Sequence, residues 1–387
     1  MPVLGIDIKK QDLMNISFTD HDIQVLRQLG QRKAELAALP EQEQKRRLWT
    51  DHNDLKDTCP VIFCDPENGW DEIITEYQCE TPLARCYEKF LKKEIFWGEY
   101  MGDDRVIENI INVPYVYDET SFGLPVERIG GEGGGSYTWI PPLTDWEKAR
   151  ELKEQIITVD VKRSNQLMEL VSETFRDILQ VRRHTDWWWS LGMTREVILL
   201  RGMQEYFYDL LDAPEEIHHL MAFLRDNNLK KIRFLEEKGL LAANANDTYV
   251  GSGGFGYTHQ LKPCEDDGRV TLKNMWGFLE SQETLSVSPA MFAEFIYPYQ
   301  KPILEQFGLT CYGCCEPMDQ RWEIVRQTKN LRRVSVSAWA DKRKMAEYLG
   351  TQYVYSYKPR AVPLAEYEMD EDYVRKELTE VVKAARG

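Results

Sequence analysis

The chain is predicted to be an α/β protein, a parallel (β/α)8 barrel of the TIM type with an N-terminal helical extension. Three observations predict this. Short apolar runs alternate with longer amphipathic stretches from about residue 59 onward, the pattern of strand–helix–strand crossovers rather than of separate sheet and helix blocks. Eight such runs occur, the number that closes a barrel. The 387 residues, 43% hydrophobic and 29% charged, can fill and cover one large core. Residues 1–58 then form a helical arm and residues 59–387 the barrel with glycine-rich loop insertions.

Each element has its own signal. Thr19 and Asp20 supply a capping signal for a helical stretch over 19–48, where Ile23, Leu26, Leu29, Ala34 and Leu36 recur at roughly helical spacing. "CPVIFCD", bounded by a proline and an acid, is too short for a helix and reads as a buried strand at 60–65. Further strands are expected at 107–113, 179–184, 242–246, 274–279, 309–313, 332–336 and 352–356. Helices are expected at 81–96, 161–178, 214–238, 289–307, 320–328, 341–349 and 370–385. "PVERIGGEGGGSYTWIPPL" at 125–143 reads as a hairpin or loop, because glycines at 130, 131, 133, 134 and 135 prevent regular packing. "YVGSGGFGYTHQL" at 249–261 contains G-x-G-x-x-G at Gly251, Gly253 and Gly256. That motif should open a helix, whereas Tyr257, Thr258 and then Pro263 follow, so the stretch reads as a flexible lid.

A formal charge of -16 repels phosphate backbones and anionic membranes, which argues against nucleic-acid and membrane partners. No run of about 18 apolar residues occurs, and "MPVLGIDIKKQDLMN" lacks the apolar stretch of a signal peptide; a cytoplasmic location is expected. Eight cysteines are too sparse for a disulfide scaffold in so long a chain. Three of them, Cys311, Cys314 and Cys315, nevertheless fall within five positions.

Parallel barrels place their chemistry at the carboxyl ends of the strands. The residues there are Cys64 and Asp65; His184, Asp186, Trp187, Trp188 and Trp189; Asn244, Asn246 and Asp247; Glu280; the three clustered cysteines; Ser337, Trp339 and Asp341; and Tyr357 and Lys358. A lone C-x-x-C is a weak zinc signal, but a catalytic zinc needs only three protein ligands, and Glu280 at the end of the preceding strand could join Cys314. Cys311 or Cys315 is then the candidate third ligand; the competing reading makes all three thiols small core fillers. Strand alternation would put Cys314 on one face and Cys311 and Cys315 on the other, unless the strand ends before them.

Three consecutive indoles on any regular element expose at least one, so Trp187 and Trp188, with Phe255, Tyr257 and Trp339, are candidates for the wall of a flat aromatic site, or else outer-shell packing. Asn246, Tyr357 and Lys358 complete the candidate substrate contacts. Asp65 and Asp186 are the candidate acids, since apolar neighbours raise a carboxyl pKa. Asp341 reads as a helix cap.

"ETLSVSPAMFAEFIYPYQKPILEQFG", "CYGCCEPMDQRWEIVRQTKNLRRVSVSAWAD" and "YVYSYKPRAVPL" together resemble the uroporphyrinogen decarboxylase superfamily, with the stronger likeness over 276–362. Within it the chain is most similar to the corrinoid-dependent methyltransferases that demethylate methanol-type, methylamine-type and aryl methyl ether substrates. The resemblance implies a barrel, a zinc ion that activates a thiol or ether oxygen, and methyl transfer to a corrinoid. Tyr312 and Cys314 stand where that family carries His-x-Cys, and "YSYKPRA" has no cysteine where the family has a third ligand. Members acting on phenyl methyl ethers imply instead an acid with cysteines, Glu280 or Glu283 beside Cys314. No D-x-H-x-x-G motif is present, so the corrinoid would arrive on a separate protein. The expected partners are thus a small aromatic methyl ether and a corrinoid protein, and a homodimer is compatible with the chain. The alternative is a decarboxylase or lyase acting on an aromatic or tetrapyrrole acid, although "CPVIFCDPENGW" lacks the arginines of the decarboxylases proper.

Overall fold

Thr19 starts the first helix as its spacing predicts. Its hydroxyl accepts the Asp22 N–H while the Asp22 carboxylate accepts the Thr19 N–H, a reciprocal capping box opening α1 (Asp20–Ala37). The expected helical stretch of 19–48 is interrupted at Pro40: Leu39 before it is extended, and α2 (Pro40–Asn53) begins on the proline itself. The computed structural model describes residues 5–131, 136–264, 268–364 and 366–385, so Gly133, Gly134 and Gly135 of the first glycine-rich insertion lie outside the described residues.

The elements that follow are α3 (Trp70–Ile73), α4 (Pro82–Phe96), β1 (Ile110–Val113), β2 (Tyr117–Glu119), β3 (Glu127–Gly130), β4 (Tyr137–Ile140), β5 (Ile157–Val159), α5 (Val161–Phe175) and β6 (Gln180–Arg183). Next come α6 (Thr194–Arg201), α7 (Met203–Asp212), α8 (Pro214–Glu237), β7 (Trp276–Leu279), α9 (Pro289–Phe295), α10 (Tyr297–Leu304) and β8 (Leu309–Tyr312). The chain ends with α11 (Trp322–Val325), β9 (Leu331–Val336), α12 (Lys342–Leu349), β10 (Val354–Tyr357) and α13 (Glu371–Ala385). The architecture is mixed α/β with short parallel strands. Among the described residues, no helix is long and apolar enough to cross a membrane.

The chain divides into two compact units. The first comprises the residues up to Asp118 and Thr158–Trp187; the second comprises Glu119–Ile157 and the residues from Trp188.

In the first unit β1 pairs in parallel with β6, Ile110 opposite Gln180 through Val113 opposite Arg183. Leu26 of α1, Leu83, Tyr87 and Leu91 of α4, and Leu167, Val171 and Phe175 of α5 close over Ile111 and Val113. The apolar spacing of these helices is what the burial of one face requires. Beside this core, Glu94 is buried between Lys33, at 2.9 Å, and Arg105. The strand expected at 60–65 does not form. Ile62 exchanges both of its backbone hydrogen bonds with Asp104, its N–H going to the carboxylate at 2.7 Å, and the Cys64 N–H goes to Asp103 at 2.9 Å. These bonds satisfy backbone groups that a strand would have offered to a ladder.

In the second unit β3 and β4 pair antiparallel, so the first insertion contains a hairpin. Its main sheet has the order β10–β9–β8–β7, all parallel. Every residue of β7 and β8 is buried, as expected of parallel strands covered on both faces. The strand expected at 242–246 is also absent. The Asn244 side-chain amide replaces a ladder: its Nδ2 donates to the Trp276 carbonyl at 3.0 Å and its Oδ1 accepts the Trp276 N–H at 2.9 Å. The helix expected at 289–307 breaks at Ile296, since Pro298 has no N–H with which to continue it, and that at 320–328 contracts to α11. Helices α6 and α7 had no counterpart in the sequence reading.

The Glu94 cluster yields a stability prediction. Burial pushes this carboxyl up, but Arg105 and Lys33 outweigh burial and hold it down at about 2. Glu94→Ala leaves two buried cations and is expected to lower the unfolding free energy by about 3–5 kcal/mol in urea titrations. Because the folded pKa is depressed, the contribution is present above the unfolded carboxyl value of about 4.3 and is lost as pH falls toward the folded value. A wild-type loss of less than about 1 kcal/mol on that substitution would contradict the assignment.

Candidate active site

Four adjacent parallel strands bring four chemically distinct residues to one edge. Glu280 follows β7, Cys314 lies just beyond β8, Ser337 follows β9 and Lys358 follows β10. Strand β8 ends at Tyr312 because Gly313 adopts φ +94°, a conformation that L side chains rarely take. Cys314 and Cys315 therefore lie in a turn beyond the strand, and strand alternation does not govern where their sulfurs point.

The Cys314 sulfur has three polar contacts. Ser252 Oγ donates to it at 3.2 Å, the Cys315 sulfur lies at 3.6 Å and Lys358 Nζ donates at 3.7 Å. Its main chain is held on both sides, the N–H by Glu316 Oε2 at 2.9 Å and the carbonyl by Ser335 Oγ at 3.0 Å. The Cys315 hydrogen bond, followed by the Lys358 charge and Ser252, lowers the Cys314 thiol to about 6 against the opposing effect of burial. Cys315 is pushed up in turn by the same hydrogen bond, as the member of the pair that keeps its proton. At neutral pH the pair is a thiolate beside a thiol.

Glu316 is fully buried and ties the ends of β7 and β8 together. Besides the Cys314 N–H it accepts the Ser281 N–H at 2.8 Å and the Ser281 hydroxyl at 3.2 Å. Arg321 Nη1 donates to that same hydroxyl at 2.7 Å. Below it, Tyr312 OH donates to Gln300 Oε1 at 2.5 Å, and Gln300 Nε2 donates to the Glu280 carbonyl at 3.0 Å. Glu280 has a different setting. Only 4% exposed, its carboxyl accepts the Gln282 N–H at 2.9 Å. Burial first, then the charges of Glu283 and Glu316, raise its pKa well above the ordinary carboxyl range. Its neutral form is thereby favoured.

Ser252 reaches Cys314 from the glycine-rich loop expected to be a lid. That loop is packed rather than free: Val250, Gly251, Ser252, Gly254, Phe255, Gly256 and Tyr257 are buried. Arg333 of β9 donates to the carbonyls of Val250 at 3.0 Å, Gly254 at 3.0 Å and Phe255 at 2.9 Å. A Cβ on Gly256 would lie 1.8 Å from the Asn244 carbonyl oxygen, so this glycine serves close approach of two backbones.

The remaining expected residues divide between the units. Cys64, Asp65, His184, Asp186 and Trp187 belong to the first; all the others belong to the second. Asp65 closes a local turn, accepting the Trp70 indole N–H at 2.8 Å and the Glu67 N–H at 2.9 Å. Asp186 has a 64% exposed side chain paired with His184 at 3.2 Å. Against partial desolvation, the His184 hydrogen bond leaves its carboxyl below the ordinary value, the reverse of the expected rise. Trp187 is buried against Tyr115 and Tyr117, and Trp188 packs on Phe307, so neither indole is an exposed wall.

Phe255 and Tyr257 are core residues, while Trp339 is 68% exposed with Arg360 over its ring. Asn246 folds back on its own loop, to Thr248 and Ala243. Tyr357 donates to Glu377 of α13 at 2.6 Å, whereas its neighbour Ser356 turns to Gly253, so alternation places the tyrosine on the helix side of β10. Asp341 caps α12 as expected.

The expected metal ligands were Glu280, Cys314, Cys315 and Cys311. Cys311 is fully buried within β8, where burial raises its thiol. Among the described residues, no three His, Cys, Asp or Glu side chains are placed to hold a metal ion. The cation that does lie on the Cys314 sulfur is the Lys358 ammonium, whose charge opposes a second cation there. The residues as arranged therefore do not fit a zinc site. Sequence reading missed Ser252 and Glu316. Adjacency of Glu316 to the cysteine pair in "CCEP" was a usable signal, whereas nothing local marks Ser252. No protein-family model matches this chain, and no curated protein matches it.

The Cys314 environment predicts a pH profile. Alkylation of Cys314 by iodoacetamide, followed by mass spectrometry of its peptide, should rise with pH through a midpoint near 6. Lys358→Met removes a charge that favours the thiolate and should move the midpoint toward the ordinary thiol value of about 8.5. An unmoved midpoint in that variant would show that the ammonium does not act on the sulfur.

Proposed function

We propose that this chain is an enzyme of the uroporphyrinogen decarboxylase superfamily, built on an α/β barrel, that takes a methyl group from a small aromatic methyl ether. The acceptor in this reading is a corrinoid carried by a separate cytoplasmic protein. One observation carries the proposal: a carboxyl with a raised pKa, a thiol with a lowered one and a lysine stand at the carboxyl ends of parallel strands of one sheet, where parallel α/β enzymes bind their substrates. The resemblance over 276–362 covers the same strands.

The chemistry asked of the residues is modest. Breaking an aryl methyl ether leaves negative charge on the phenolic oxygen, and a proton delivered there turns a poor leaving group into a better one. Glu280, whose pKa is raised by burial and then by the neighbouring carboxylates, is the donor in this scheme. Lys358 supplies electrostatic stabilisation to the same developing charge, and its contact with Cys314 holds the ammonium at the edge. No step is assigned to a metal ion, since the expected ligands do not converge.

A second reading is favoured by the same ammonium. Lys358 can bind a carboxylate, and the reaction would then be a decarboxylation of an aromatic acid. The test mixes the protein with cob(I)alamin and methoxylated aromatics under anaerobic conditions while following the methylcobalamin spectrum. Growth of that spectrum is expected, and Glu280→Gln should slow it by about 10²- to 10⁴-fold. Carbon dioxide release from aromatic acids without methyl transfer would replace the first reading by the second.

A further inference from the structure

Cys314 and Cys315 are consecutive, with their sulfurs 3.6 Å apart. Cys315 is exposed and Cys314 half-buried, so a small molecule can reach the pair. The two differ in how they are held. The Cys314 backbone is fixed by Glu316 and Ser335, and its sulfur by Ser252 and Lys358. Apart from its contact with the Cys314 sulfur, no hydrogen bond of the Cys315 side chain is found among the described residues. One sulfur is thus positioned and flanked by a cation, while the other is exposed beside it. That division of labour is the one thiol–disulfide exchange requires, an attacking sulfur and a resolving sulfur.

We propose that Cys314 and Cys315 form a dithiol site that reduces small organic disulfides of the glutathione type, Cys314 attacking and Cys315 resolving. In the first step Cys314 Sγ bonds to one sulfur of R–S–S–R, the R–S–S–R bond breaks, and RS⁻ leaves to take a proton from solvent. In the second, Cys315 gives its proton to solvent and attacks Cys314 Sγ, releasing the other thiolate. Counted from the thiolate–thiol pair, the protein loses two electrons and one proton; the small disulfide gains the two electrons, and its two thiolates take up two protons, the one released by Cys315 and one more from solvent. Consecutive Cα atoms are about 3.8 Å apart, below the roughly 4.4–6.8 Å usual across a disulfide. The resulting ring is strained, so the oxidised pair is readily reduced again by thiols. The exchange uses neither a methyl donor nor a corrinoid, and it stands or falls apart from the methyl-transfer reading.

The experiment uses the full chain, fully reduced and then exposed, without oxygen, to oxidised glutathione in large excess, which drives formation of the strained disulfide. An internal disulfide mapped to the peptide bearing both residues is expected, with two equivalents of glutathione thiol released beyond those released by a variant carrying both Cys314→Ser and Cys315→Ser, since Cys59, Cys64 and Cys264 are also exposed. Cys315→Ser should stop at a mixed disulfide on Cys314 and release one equivalent; Cys314→Ser should slow release from this peptide by at least tenfold. Lys358→Met should slow the first release by several-fold with the same end point. Circular dichroism of each variant identifies any that is misfolded, and the wild-type peptide map decides the matter without them. A wild-type chain that halts at the mixed disulfide, or whose disulfide maps to other cysteines, overturns the proposal.

Discussion

The buried guanidinium of Arg333 is the constraint on which the second unit depends. It projects from a central strand of the parallel sheet, is fully buried, and lies 5.0 Å from the Trp276 ring. A desolvated cation without hydrogen bonds would be costly, and burial lowers its pKa. Its N–H groups instead bind three carbonyls of the loop from Val250 to Phe255, so the cation and the loop satisfy each other. One consequence is structural: a stretch rich in glycine becomes part of the core. The other is chemical, because Ser252 in that loop is thereby delivered to the Cys314 sulfur.

Two buried carboxyl groups near the strand ends are separated in role by their neighbours alone. Glu316 accepts hydrogen bonds from two backbone N–H groups and the Ser281 hydroxyl, which binds Arg321 in turn. Glu280 receives one N–H, and burial together with the negative charge of Glu283 and Glu316 raises its pKa. The same logic divides the cysteines, since one thiolate beside a thiol costs less than two thiolates in contact. An acid and a nucleophile therefore coexist at one pH within a short stretch of sheet edge.

Much of the fold was legible. Strands β7 to β10 fall where short strands are expected, and the capping signals at Thr19 and Asp341 act through atoms two or three residues away. The segments at 60–65 and 242–246 carry the same kind of signal yet are not strands, because side chains of Asp103, Asp104 and Asn244 occupy the hydrogen-bonding places. The candidate site was legible in its residue types, Glu280, Cys314 and Lys358 among them, but not in its arrangement. The tryptophan run was misleading for the converse reason: Trp187 and Trp188 both find aromatic partners from distant segments.

What the sequence by itself determined is local. Apolar periodicity sets where helices and strands arise, Pro40 and Gly313 stop particular elements, and the adjacency of Cys314 to Cys315 makes a thiol pair unavoidable. Only the tertiary structure decided the state of that pair. Ser252 is 62 residues from Cys314 and Lys358 is 44, separations that no local pattern encodes. Charge and desolvation act through space, so the protonation of Glu280 and Cys314 became defined only when packing brought their neighbours within range.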